Sequence, residues 1–141
     1  MNVEVNYLAV LLAGLSSMVI GSIWYAKGVF GSTWAKLAKV NMDRKVKPAE
    51  MVYMMGGTFL VSLITAFVLA HVAFLSNSYF GSSFLQDSVT TAIWLWLGFV
   101  AARFFTHDAF EGRRKKLTLL NITHELVTLV VMGVIIGLLG N

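Results

Sequence analysis

Cysteine is absent and proline occurs once in these 141 residues. The missing thiols exclude a disulfide scaffold, a thiolate metal or iron–sulfur site and a cysteine nucleophile. A mean hydropathy of +0.75 with one proline excludes a disordered tail. Charge is scarce too: 13% of the residues are charged, against about 25% in a soluble domain. What abounds is apolar, at 57% hydrophobic. The composition is that of an integral membrane protein forming one domain, residues 1–141.

Crossing a hydrocarbon core of about 30 Å takes about 20 helical residues. Stretches of that character at residues 7–25, 51–75, 88–106 and 117–139 predict an all-α, polytopic fold with four transmembrane helices. The third is the least regular, because its uncharged part ends at Ala102 and Arg103 must sit near the interface. The first lacks a basic leader and a small-residue cleavage site, so it is expected to stay in the mature chain.

Every basic residue falls in one of two places. Lys27, Lys36, Lys39, Arg44, Lys45 and Lys47 follow the first span, and Arg103, Arg113, Arg114, Lys115 and Lys116 lie at or between the ends of the third and fourth. The positive-inside rule then puts both basic loops in the cytoplasm and both termini outside, in a plasma membrane. The net charge of +4 reads as topology and attraction to anionic headgroups, with no nucleic-acid surface.

Phe30, Trp34, Leu37 and Ala38 recur at helical spacing beside Lys27, Lys36 and Lys39, which predicts a short interfacial helix in the first basic loop. Trp24, Tyr25, Phe30 and Trp34 form an interfacial anchor on this reading; an aromatic ligand cage is the alternative. Pro48 suits the first turn of the second span and Glu50 its N-terminal dipole. The stretch Asn77–Phe84 reads as a polar outer turn, with Asp87 or Ser88 capping the third span. Small residues four apart mark packing faces: Ala9, Ala13, Ser17 and Gly21 in the first span, Gly133 and Gly137 in the fourth, Gly98 and Ala102 in the third. Four helices enclose little space, so a homo-oligomer is expected.

The polar residues of the fourth span are the most informative. Thr118, Asn121, His124, Glu125 and Thr128 occupy an arc of about 120° at about 100° per residue. Glu125 lies about 12 Å inward from Leu117 at about 1.5 Å per residue, where a carboxylate needs a partner or a proton. Arg103, with His107 one turn further on, is the candidate partner. His124-Glu125 imitates the start of a HExxH zinc helix, but Thr128 stands where the second histidine belongs. A metal site of His107, Asp108, His124 and Glu125 has nothing to fix its geometry. No nucleophile elbow and no phosphate-binding glycine loop occurs, so no enzyme, metal or cofactor is expected. His71 and the Thr58, Ser62, Thr65 stripe read as structural.

Two stretches carry a likeness. Gly21-Ser22-Ile23-Trp24-Tyr25-Ala26-Lys27-Gly28-Val29-Phe30-Gly31-Ser32-Thr33-Trp34, and Trp96-Leu97-Gly98-Phe99-Val100 with Phe110-Glu111-Gly112-Arg113, resemble a family of small bacterial membrane proteins catalogued only as a domain of unknown function. Met132-Gly133-Val134-Ile135-Ile136-Gly137 is similar as well. The resemblance implies a bacterial four-helix membrane protein and brings no activity with it. Two functions fit the residues: an oligomer moving a proton, ion or small solute along the seam of Glu125, His124, Asn121, Thr128, Arg103 and His107, with Glu125 as the titrating group; or a non-transporting accessory or scaffold that recruits lipid or protein.

Overall fold

A computed structural model describes residues 3–140. Its described residues form five α-helices and no strand: α1 (Tyr7–Trp24), α2 (Ser32–Ala38), α3 (Pro48–Phe80), α4 (Phe84–Phe110) and α5 (Lys115–Leu139). Four of them, α1, α3, α4 and α5, are long and apolar enough to cross a membrane. Their outer surface is apolar in a way water would not tolerate, with Val52, Leu60, Val61, Ile64, Phe99 and Leu138 each about half or more exposed.

The long helices form a ring in which α1 packs on α3 and α5, and α4 packs on the same two. Each neighbouring pair is antiparallel. Tyr7 stacks on Phe67 while Gly14 lies against Leu63, and Gly137 lies against Leu85 while Thr118 reaches Asp108. One end therefore holds both termini and the α3–α4 turn. The other holds the long α1–α3 connection with α2 in it, the four-residue α4–α5 connection and the basic residues.

The terminal end closes by tight packing. A methyl on Gly137 would stand 2.6 Å from Leu85 Cα, and one on Gly133 3.0 Å from Ser88 O, so glycine is what lets α4 and α5 touch there. Ala9, Ala13 and Ser17 are buried, and Gly14 meets Leu63 of α3. Val10, Ala13, Leu69, Ala73, Phe84, Leu129, Met132 and Ile136 make the core. Asn6 caps α1 and donates from Nδ2 to Leu139 O at 2.6 Å, joining the two chain ends.

Three local expectations are corrected. The stretch expected to be a polar turn, Asn77–Phe84, is helical as far as Phe80; Gly81, at φ +67°, stops α3, and only residues 81–83 turn. Neither Asp87 nor Ser88 caps the next helix. Ser83 does, accepting from Gln86 N, while Asp87 accepts from Asn77 Nδ2 at 2.7 Å and ties α4 to α3. Gly98 and Ala102 are exposed, and a methyl on Gly98 would meet nothing, so this pair makes no packing face within the chain. Pro48 does open α3, with Glu50 in its first turn and bonded to Arg44.

Two π-helical turns interrupt the α-helical pattern, Lys27–Gly31 and Trp96–Ala101. Both lie in the two stretches that carry the family likeness. In the first, Gly31 N donates to Ala26 O, and a methyl on Gly31 would collide with the carbonyls of Tyr25 and Ala26. That tight return folds α2 back so that Trp34 packs on Tyr25 at 5.2 Å between ring centroids.

Candidate functional site

Residues 124 and 125 are about 100° apart on a helix, and the polar arc of α5 divides between them. His124 faces the end of α1. Its ring lies 5.8 Å from that of Trp24 and 5.0 Å from that of Tyr25. Gly21 lies beside it, where a methyl would sit 3.8 Å from His124 Nε2, in ordinary contact. Asn121, one turn before, accepts from the Tyr25 hydroxyl at 3.4 Å. Phe30 leans on Trp24, and Trp34 on Tyr25. Trp24 and Tyr25 thus flank His124, with Trp34 packed behind Tyr25; these three rings are part-buried, and Phe30 alone of the four is exposed.

His124 Nε2 and Trp24 Nε1 are both buried without a hydrogen-bond partner. The other ring nitrogen of His124, Nδ1, lies 3.3 Å from Glu125 Oε1. A buried imidazole with one nitrogen engaged and the other free is an unusual residue of polarity in such a helix pair.

Glu125, while touching His124, also lines a recess of about 490 Å³ between α4 and α5. Arg103, His107, Phe99, Phe104 and Glu111 line it too. The recess is open to the outside of the bundle, because Phe99, Arg103 and His107 lie along its exposed face at four-residue spacing. The candidate Arg103–Glu125 pair is not formed. Arg103 makes no ion pair within 4.0 Å among the described residues, although it shares the recess with Glu125. Arg103 follows the π-helical turn and is exposed, while Glu125 Oε1 lies 3.3 Å from His124 Nδ1.

Two ties hold the recess walls. Trp96, inside that π-helical turn, donates from Nε1 to Ile122 O at 2.8 Å. At the basic end, buried Asp108 accepts from Thr118 Oγ1 at 2.6 Å, and its carbonyl accepts from Arg113 N at 2.9 Å. Arg113 Nε lies 2.5 Å from Glu111 Oε2 and 3.6 Å from Asp108 Oδ1, and Glu111 pushes the Arg113 guanidinium still higher than its ordinary range. Asp108 is therefore a corner pin. Among the described residues no three histidines and carboxylates gather as a metal would need.

The polar arc has an end. Thr128 is buried with its hydroxyl unpartnered, and the next inward residues, Leu129, Met132 and Ile136, are at most 4% exposed against Leu69, Ala73 and Phe84. Thr58, Ser62, Thr65 and His71 of α3 all bond carbonyls of their own helix and stand apart from the arc. Sequence reasoning missed the Trp96–Ile122 and Asn77–Asp87 bonds and the pinning by Asp108. Each joins residues on different helices, which no spacing along one helix signals.

A family model described as "Protein of unknown function (DUF1761)" matches residues 8–137, the span over which the two aromatic stretches and the closing glycine segment resemble such a family. No curated protein and no solved structure matches.

Proposed function

We propose that this chain, which belongs to that family, is a multi-pass plasma-membrane protein that binds a small polar or amphiphilic ligand in the recess beside Glu125 and acts as an accessory, without a conduction path through its own bundle. The observation that carries this reading is the one-sidedness of the polar arc. It runs from Thr118 to Thr128 on α5, and the residues that follow on that face, Leu129, Met132 and Ile136, are apolar and buried; the buried polar groups at their level, Asp87, Ser88 and Thr91, belong to α4. A path for a proton or ion needs polar groups or water at every depth, since each unsolvated charge in hydrocarbon is penalised. On α5 the series stops at Thr128, and on α4 the carboxylate beyond it, Asp87, is tied to Asn77.

On this reading the basic loops face the cytoplasm and the recess opens at that leaflet, with both termini outside. Trp24 and Tyr25, with Trp34 behind Tyr25, keep His124 next to Glu125, so a change at the recess is transmitted to the α1–α2 connection. There the exposed lysines meet anionic headgroups or a partner.

A second reading keeps transport but moves it between chains. The recess lies on the outer face, where Arg103 and His107 are exposed and Gly98 leaves a smooth strip, so an adjoining copy would roof it. Ion and proton flux into liposomes separates the two. Wild-type protein is expected to leave flux at the level of protein-free vesicles, and Glu125→Gln to leave it there. A wild-type flux that Glu125→Gln abolishes at matched incorporation sinks the accessory reading and establishes the intersubunit one.

A further inference from the structure

The recess holds two opposite charges that do not use each other. Arg103 and Glu125 both line it, no ion pair within 4.0 Å joins them, and no described side chain hydrogen-bonds Arg103. Free opposite charges in a medium of low dielectric attract strongly, so a gap between them is stable when something carrying both signs fills it. Arg113 and Glu111, by contrast, are paired to one another at the rim.

We propose that the recess between α4 and α5 binds the headgroup of a zwitterionic phospholipid bearing a primary ammonium, with the phosphate on Arg103 and the ammonium on Glu125; this rests on the recess reading above. Four features of the site point to that chemistry. A guanidinium presents several donors in a planar fork that suits phosphate oxygens. A primary ammonium has three donors, and the carboxylate of Glu125, 36% exposed, has acceptor positions left beyond its contact with His124. A purely anionic headgroup meets repulsion from Glu125 and leaves that carboxylate without a cation, since Glu111 and Arg113 in the same recess are paired to each other. A quaternary ammonium donates no hydrogen bond and prefers a full aromatic cage, whereas the aromatic rings lining this recess are Phe99 and Phe104.

Depth agrees as well. The Asp108–Thr118 bond sets the register of the two helices. From it Arg103 lies five residues, about 7.5 Å, toward the bundle centre, and Glu125 seven residues, about 10.5 Å. The two charges are thus offset by about 3 Å along the bundle axis, which suits a headgroup lying nearly flat in the membrane plane. Phe99, one turn deeper than Arg103 on the same face and 73% exposed, continues the site into the zone of acyl chains.

The test is lipid retention by purified wild-type protein in mixed micelles, read by native mass spectrometry. Phosphatidylethanolamine, phosphatidylcholine and phosphatidylglycerol of the same acyl chains are offered at equal amounts. Retention of the first is expected to exceed the other two at least fivefold. Arg103→Gln should remove that excess, and Glu125→Gln should let phosphatidylglycerol match phosphatidylethanolamine. Equal retention of all three by wild type, or an excess that survives both substitutions, overturns the proposal. The wild-type comparison needs no variant to fold. Competition by water-soluble glycerophosphoethanolamine at equal concentration supports the headgroup chemistry and assigns its source to a free solute; no competition assigns it to the membrane. Silent flux with no lipid preference ends the lipid proposal alone, and flux lost in Glu125→Gln ends the recess reading beneath it.

Discussion

The two ends of this bundle are built on different principles. At the terminal end, helices meet through glycine and alanine: Gly133 and Gly137 against Ser88, Ala92 and Leu85, with Ala9 and Ala13 buried on α1. At the basic end they meet through rings and carboxylates: Trp24 and Tyr25 about His124 with Trp34 behind Tyr25, Trp96 on a carbonyl, and Asp108 on Thr118. Both π-helical turns belong to the aromatic, polar half. Close backbone packing gives rigidity without a cavity. Bulky and polar contacts leave an opening, and the recess at Glu125 is that opening.

The contrast is broken most severely at Gly137. A methyl there would stand 2.6 Å from the Leu85 backbone, so α4 and α5 must separate along the seam. Gly137→Ala is expected to destabilise the fold by about 3 kcal/mol, the upper range for overpacking, measured by denaturant unfolding in micelles. Gly98→Ala, with nothing near the added methyl, should do the reverse and add up to about 1 kcal/mol of helix propensity. Equal effects would mean that the terminal end is not set by close approach.

Each end also has one carboxylate pin, which makes a matched pair of tests. Asp108→Ala leaves the Thr118 hydroxyl without its acceptor and frees the α4–α5 corner; about 2 kcal/mol is expected for a hydrogen bond to a charged group. Amide exchange over residues 111–118 should rise with it. Asn77→Ala removes the donors to Asp87 and to Ser82 O at the other end and is expected to cost about 1.5 kcal/mol, with exchange rising over residues 81–87. Exchange that spreads over the whole chain in either variant would contradict the division into two ends. Trp96→Phe keeps the ring bulk and loses the bond to Ile122 O, so about 1 kcal/mol is expected, with a wider recess as its consequence.

How far the sequence foretells this division depends on the residue. Hydropathy locates α1, and its expected end at residue 25 agrees with an α-helix closing at Trp24. The same signal ends α3 too early, because Asn77 and Ser78 are polar yet helical: Ser78 bonds Phe74 O and Asn77 reaches Asp87. It starts α4 late for the same reason, since Ser83 supplies the cap before the apolar run begins. At the site, the 100° periodicity identifies Glu125, His124 and Asn121 as one polar arc, and Arg103 does share the recess with Glu125. Periodicity cannot tell that adjacent residues of the arc serve different neighbours. Nor does it register the π-helical turn at Trp96–Ala101, which leaves composition unchanged.

The smallest expected effect lies outside the helices, and it tests whether charge holds the basic end at all. Lys27 Nζ bonds Asp43 Oδ1 at 2.6 Å across the first loop, and that ammonium holds the Asp43 carboxyl below its usual range. A carboxyl so depressed stabilises the fold above its unfolded pKa, and the contribution fades as pH falls through the lower, folded value. Both side chains are more than half exposed, so the bond is screened and weak. Lys27→Gln is therefore expected to leave Tm unchanged within error at neutral pH in about 1 M salt, where the screening length is about 3 Å. At low salt it should show a slight loss that disappears on acidification. A large Tm loss at every pH and salt would assign the α1–α2 connection to this one pair. Insensitivity would leave it to the return at Gly31 and to the packing of Trp34 on Tyr25, the contacts that also enclose His124.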